Sequence, residues 1–335
     1  MRLRRVRLKD GHGFSTAIWG DGGWLPLRPA LDAAGESGGE LARAGDDALA
    51  LLAQPRLRDA AAELAGRARE HDLAGTFDLE PAPLPFMPRA LRAFSVFERH
   101  QVQAARGLVR RYMPGAARAV VSGFESLSRR TFPAFKPKKL FYEKPLFYMG
   151  NHLTLYPHGA DLPWPAYSRD LDFELELGFV LARTLRDASE ADASGAIGGF
   201  FVVNDVSARD TQWREYRESV FGPVVKAKTF ATAMAVEVVT ADEILPRVDA
   251  LRGSVRVNGE TWAKGSTSGM QHSPAAMVAY ASEGEELRPG EVFATGTLPG
   301  CCGLEIDRWI EPGDEVELEI EGVGTLRNRI GRQPA

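Results

Sequence analysis

Cysteine is nearly absent from this sequence. Two occur in 335 residues, and they are neighbours, Cys301 and Cys302. A disulfide framework is thereby excluded, and the reducing cytoplasm is the expected compartment. Long apolar runs are missing too. The longest, Ala196 to Val203, contains two glycines and falls far short of the ~20 residues that span a membrane. The opening MRLRRVRLKDG is basic but has no apolar segment, so it does not read as a secretory signal. Its alternation of arginine and apolar residues reads as a strand. Neither sign of charge dominates, since 41 basic and 45 acidic residues leave a net charge of −4. That balance gives no electrostatic footing for nucleic acid or an anionic membrane. No Walker loop, dinucleotide fingerprint, internal repeat or low-complexity block is present.

What remains is the composition of a globular protein, 44% hydrophobic and 26% charged, with a length that admits about two domains. Residues 3–31 read as short strands separated by turn chemistry at Asp10-Gly11 and across Gly20-Asp21-Gly22-Gly23. Residues 40–72 are helical in pattern, with Pro55 breaking the run. The proline-rich segment from Leu79 to Pro88 reads as an extended linker. The expected division is a small N-terminal β-rich domain with a helical segment at 1–80, a linker at 81–91, and a main domain at 92–335.

Within the main domain, LDFELELGFV at 171–180 alternates strictly. Phe173, Leu175 and Leu177 fall on one face, Glu174 and Glu176 on the other, as in a strand with one apolar side. Two carboxylates about 6.5–7 Å apart along a strand suit either a divalent cation or water. Glu315, Glu317, Glu319 and Glu321 repeat the pattern, so alternation alone does not choose. A helical pattern from Phe94 to Tyr112 carries His100. Ile197 to Val203 reads as a buried strand ending in Asn204-Asp205. Ser207-Ala-Arg-Asp210 has the form of a capping box opening a helix through Gln212 and Tyr216. VVKAKTFATAMAVEVV reads as extended, with Lys226 and Lys228 on one face. A lysine there must snorkel to water or find a buried anion. Asn258-Gly259 marks a hairpin. ELRPGEVFATGTLPGCCGLE reads as a strand running into a glycine-rich loop, whose N–H groups, with Thr295 and Thr297, suit an oxyanion. Cys301 and Cys302 sit in that loop without a local histidine, as small apolar residues rather than nucleophiles.

The ordered set Glu174-Leu-Glu176, Asn204-Asp205-Val-Ser-Ala-Arg-Asp210, Gly222-Pro-Val-Val-Lys-Ala-Lys228-Thr-Phe and Leu287-Arg-Pro-Gly-Glu-Val-Phe-Ala-Thr-Gly-Thr297 resembles the fumarylacetoacetate hydrolase family. The likeness covers roughly residues 90–331. It implies an α+β fold, with a rolled, layered catalytic domain of mixed β-sheet behind a small N-terminal β-rich domain, assembled as a homodimer. It also implies metal-dependent hydrolysis of a carbon–carbon bond in a small 1,3-dicarbonyl or acylpyruvate-type acid. The alternative on the same site is oxaloacetate-type decarboxylation, tautomerisation or hydration of a dienol acid. By matched position, Glu174, Glu176 and Asp205 are implied as ligands of a divalent metal, Mg²⁺ first, with Ca²⁺ or Mn²⁺ also suited to oxygen donors. Gln212, Lys228, Thr232 and Thr297 are implied around metal and substrate, with Tyr148 on the far side. His100 and Glu305 match the dyad that activates water. Ala93 and Ser95 stand where some relatives carry an aspartate and a tyrosine.

Overall fold

The computed structural model describes residues 1–9, 13–20, 23–45, 47–70, 77–78 and 83–332. The expected turns at Asp10-Gly11 and Asp21-Gly22, and residues 79–82 of the proline-rich segment, lie outside the described residues.

Two sheets face each other across one apolar core. The larger is twelve-stranded and mixed. At its middle run three antiparallel neighbours, Ile197–Asn204, Glu174–Leu181 and Glu291–Cys302. Every residue of the first two is buried. Beyond Glu291–Cys302 come Ala90–Phe94, parallel to it, and then Phe147–Gly150. On the other side Glu237–Thr240 pairs with Arg2–Leu8, which sets Leu3 opposite Val238. The strands Phe14–Gly20 and Gly23–Pro26 extend the same sheet. The N-terminal strands therefore continue the sheet that carries Glu174 and Glu176.

Helices Ala48–Ala53 and Pro55–Glu70 bury Leu51, Leu52, Leu57 and Leu64 in this core. The break between them falls at Gln54, whose backbone is extended. Pro55 opens the second helix, where its missing N–H goes unneeded.

The smaller sheet has five strands, in the order Glu260–Ser266, Arg252–Val257, Glu315–Ile320, Gly324–Ile330 and Asp161–Leu162. The Asn258-Gly259 turn forms as the sequence predicts, with φ of +50° and +80°. The two Glu-x-Glu strands part company here. In Glu315–Ile320 only Val316, Leu318 and Ile320 are buried, and Glu317 and Glu319 pair with Arg256 at the surface. In the central strand both faces are covered. Leu175 and Leu298 pack against Gly253 of the smaller sheet, and the Phe173 ring lies 6.1 Å from that of Trp262. The opposite face, carrying Glu174 and Glu176, is closed by side chains from elsewhere in the chain.

Candidate metal and catalytic site

The site begins with two irregularities in strand pairing. Glu174 lies opposite Cys302, Glu176 opposite Thr297, and Gly178 opposite Ala294. Steps of two residues on one strand are thus matched by five and then three on its neighbour. The surplus residues bulge and turn backbone N–H groups out of the ladder. Gly296, with φ +90°, donates to Glu176 Oε2 at 3.1 Å. Gly300 donates to Glu305 Oε2 at 2.8 Å. A side chain at Gly296 would meet the Phe94 carbonyl oxygen at 2.8 Å, so both its φ and its surroundings require glycine. The expected glycine-rich loop is therefore a continuous strand, Glu291–Cys302, with bulges. Pairing with Glu174–Leu181 from Val292 to Cys302 keeps it in the sheet despite its glycines.

Around these bulges the fold gathers three carboxylates. Oxygens of Glu174, Glu176 and Asp205 lie within 4.8 Å of one another, and all three residues are buried. Asp205 follows the strand Ile197–Asn204, and the Asn204 side chain accepts from the Glu174 N–H at 3.0 Å. Lys228 Nζ donates to Glu174 Oε2 at 2.6 Å and to Asp205 Oδ2 at 2.9 Å. The buried anion that a lysine in this segment needs is thus supplied twice. The Tyr148 hydroxyl also donates to Asp205 Oδ2, at 2.9 Å. Arg209, fully enclosed, donates to Glu174 Oε1 at 2.6 Å and to Asp172 Oδ2 at 2.8 Å.

The electrostatics separate the three acids. Burial pushes the Glu176 carboxyl well above the usual carboxylate range, and the charges of Asp205 and Glu174 add to it. Burial also raises Asp205, against the pull of Lys228. Burial would raise Glu174 too, but Lys228 and Arg209 overcome it and hold that carboxyl well below the usual range. Four buried carboxylates, with Asp172 the fourth, face two buried cations. With all four ionised the excess would be two negative charges, and the raised Glu176 and Asp205 carboxyls are the metal-free fold's answer to it. Asp205 Oδ1 and Thr297 Oγ1 are buried without a hydrogen-bond partner. Clustered oxygens, unpartnered acceptors and more carboxylates than buried cations to balance them fit a hard divalent cation.

A second group adjoins the first. His100 stands in the first turn of the helix Glu98–Tyr112, and its Nδ1 lies 2.6 Å from Glu305 Oε1. Glu305 belongs to the short helix Gly303–Ile306 that follows the long strand. The approach of these helices requires Gly107, where a Cβ would sit 2.4 Å from the Leu304 carbonyl oxygen. A carboxylate on Nδ1 keeps the proton of a neutral imidazole there and leaves the Nε2 lone pair free. Asp172 accepts from the Gly303 and Leu304 N–H groups at 2.6 and 3.0 Å. Asp172 and Arg209 thus tie the Glu305 turn to Glu174.

The structure brings together Glu174, Glu176, Asp205, Lys228 and Tyr148, with Thr297 opposite Glu176. Gln212 attaches through Arg209, whose Nη1 donates to its Oε1 at 2.7 Å. Thr232 is buried at the head of the strand Thr232–Met234 and makes no hydrogen bond to the carboxylates. Asp172 and Arg209 escaped the sequence reading. Arg209 is interior to the Ser207–Asp210 stretch, which reads in sequence as a capping box. No such box forms. Ser207 sits in a two-residue strand and donates to the Asp205 carbonyl, while Asp210 accepts from Ser168 and the Arg169 N–H. The expected extended run at 224–230 is likewise absent. The Glu215 carboxylate takes the N–H groups of Val225 and Lys226, so the chain bends there, exposing Lys226 and burying Lys228. Cys302 does have a histidine nearby: its sulfur, His100 and Glu305 offer ligand atoms within 4.8 Å of one another. Burial pushes its thiol well up, and that of Cys301 to about 12, so neither is a ready nucleophile in the metal-free protein.

A family profile described as "Fumarylacetoacetate (FAA) hydrolase C-terminal" matches residues 120–331. The chain is 34% identical over 196 residues to a 4-hydroxyphenylacetate degradation bifunctional isomerase/decarboxylase of Escherichia coli, a match covering 58% of this chain but only 42% of that protein. It is 30% identical over 187 residues to the mitochondrial oxaloacetate tautomerase FAHD1 of Pongo abelii, covering 56% of this chain and 81% of the relative. Among solved structures, the fumarylacetoacetate hydrolase of Exiguobacterium antarcticum superposes with a TM-score of 0.64 at 19% identity, over 99% of both chains. The fumarylpyruvate hydrolase of Pseudomonas aeruginosa, solved with Mn²⁺ and pyruvate, gives 0.55 at 20% identity, over 76% of this chain and 94% of that one. These two likenesses speak for the fold, which is the mixed α+β arrangement that the family resemblance implies. Among the described residues no helix is long and apolar enough to cross a membrane.

Proposed function

Because the chain belongs to the fumarylacetoacetate hydrolase family, we propose that it is a divalent-cation-dependent hydrolase of a carbon–carbon bond in a small 1,3-dicarbonyl or acylpyruvate-type acid. Glu174, Glu176 and Asp205 hold the cation, with Mg²⁺ the first choice for an all-oxygen set. A cation bound there would supply Lewis acidity to the substrate. His100 takes a proton from water at Nε2, and Glu305 steadies the ring and the charge it acquires. Lys228 and Gln212 face the negative charge that develops on the attacked carbonyl. Tyr148, Thr232 and Thr297 line the substrate's place. The protein works as a homodimer in the cytoplasm.

The observation that carries this reading is the 2.6 Å contact between His100 and Glu305, residues 205 apart, beside the carboxylate cluster. An imidazole oriented by a carboxylate is suited to activating water. Replacing His100 with alanine is expected to lower acylpyruvate turnover by about 10²–10⁴-fold while leaving Mg²⁺ affinity intact. Near-normal turnover would remove His100 from the chemistry. A second reading draws on the names of the two relatives at 30–34% identity: tautomerisation or decarboxylation of an oxaloacetate-type acid. Product analysis by NMR on acylpyruvates and oxaloacetate separates the two.

A further inference from the structure

The two clusters differ in chemistry as well as in place. Glu174, Glu176 and Asp205 offer only carboxylate oxygen. His100, Cys302 and Glu305 offer one nitrogen, one sulfur and one oxygen within 4.8 Å of one another. The first set selects hard cations, and the second suits borderline or soft ones. We propose that His100, Cys302 and Glu305 form a second cation site, selective for Zn²⁺ or an ion of like softness, whose occupation arrests the enzyme by engaging the His–Glu pair.

The geometry is close to what the ion requires. Tetrahedral zinc with Zn–S near 2.3 Å and Zn–O near 2.0 Å holds sulfur and oxygen about 3.5 Å apart. Cys302 Sγ and Glu305 Oε1 are 3.5 Å apart. Nitrogen and oxygen ligands sit about 3.3 Å apart around such an ion, whereas His100 Nδ1 and Glu305 Oε1 are at 2.6 Å. A swing of the imidazole by roughly 0.7 Å makes that room. The carboxylate is fixed already, since Glu305 Oε2 is held by the Gly300 N–H. Cys301 faces the other way, its sulfur against Gly265 of the smaller sheet, and takes no part. On coordination the Cys302 thiol proton passes to solvent and the Nδ1 proton moves to Nε2. That transfer removes the free lone pair on which the proposed water activation depends. The inhibitory consequence therefore rests on the reading of His100 as the base, whereas the site itself does not.

The test uses the full chain saturated with Mg²⁺. Co²⁺, a spectroscopic stand-in for Zn²⁺, is titrated in while the near-ultraviolet thiolate-to-cobalt band is followed. The site predicts that band, its loss in Cys302→Ser and Cys302→Ala, and its survival in Cys301→Ser. Mg²⁺ binding by the Cys302 variants, measured by calorimetry, shows that they are folded. Zn²⁺ should inhibit the Mg²⁺-loaded enzyme, with potency at least about tenfold lower in the Cys302 variants. Cobalt binding without a thiolate band, or equal inhibition of the Cys302 variants, overturns the proposal and assigns the effect to exchange at the carboxylates. If the band appears in a protein that does not hydrolyse acylpyruvates, the site stands and the proposed reaction falls.

Discussion

The variant Glu176→Gln separates a cation ligand from a structural acid. In the metal-free protein burial and its two acidic neighbours push the Glu176 carboxyl well up. A carboxyl kept protonated resembles a carboxamide in shape and charge, and glutamine retains an oxygen for the Gly296 N–H, now at 3.1 Å. The metal-free variant should therefore match the wild type to within about 1 kcal/mol. Its response to Mg²⁺ should collapse. Wild-type protein at a hundredfold excess over Kd gains about 2.7 kcal/mol from the ligand. Loss of a partner outside the coordination sphere already weakens metal sites by ~10–100-fold, so loss of a ligand weakens them at least as much. At a hundredfold weakening the same Mg²⁺ concentration returns only about 0.4 kcal/mol. Urea unfolding followed by tryptophan fluorescence, with and without Mg²⁺, measures both quantities. A metal-free variant destabilised by several kcal/mol, with full Mg²⁺ stabilisation preserved, would refute the assignment and make Glu176 a structural acid.

Three further outcomes are expected. Lys228→Met strips Glu174 and Asp205 of their shared cation and should destabilise the metal-free protein by about 3–5 kcal/mol, with part of the loss recovered in Mg²⁺ during the same urea titrations. Glu176 and Asp205 have raised pKa values in the fold, so their contribution to metal-free stability is complete below the unfolded carboxylate pKa. It is lost as pH rises through the folded values. Mg²⁺ affinity runs the other way, rising over that upper range as both acids deprotonate, and calorimetry across pH should also register released protons. Gly107→Ala pushes the His100 helix off the Leu304 carbonyl. It should cost about 1–3 kcal/mol and lower kcat with little change in KM, as steady-state kinetics and thermal melts can check.

The parts of the fold that are local were legible from residue order. Asn258-Gly259 forms its hairpin because both residues tolerate positive φ, and the alternation at 171–180 does mark a strand. Its acidic face was harder to read. Glu174 and Glu315 have identical local patterns, and only Lys228, Arg209 and Tyr148, brought in by tertiary folding, bury the one and not the other. The bulges opposite Glu176 were illegible for a related reason, since a strand's register depends on its neighbour. Arg209 was missed because Ser207 and Asp210 satisfy a helix-start pattern. A large cation between apolar strands and a carboxylate-rich stretch was the signal available. The proximity of Cys302 to His100 has no local signature at all.

The long strand Glu291–Cys302 has a consequence for how the protein comes apart. It carries Gly296 against one cluster and Cys302 against the other, with Gly300 reaching the carboxylate that steadies His100. Both chemistries are thus mounted on one stretch of backbone, paired along its length with Glu174–Leu181. Amides at Gly296 and Gly300 should exchange with solvent in one shared opening rather than separately. A heated or aged preparation would then contain molecules with both clusters or with neither.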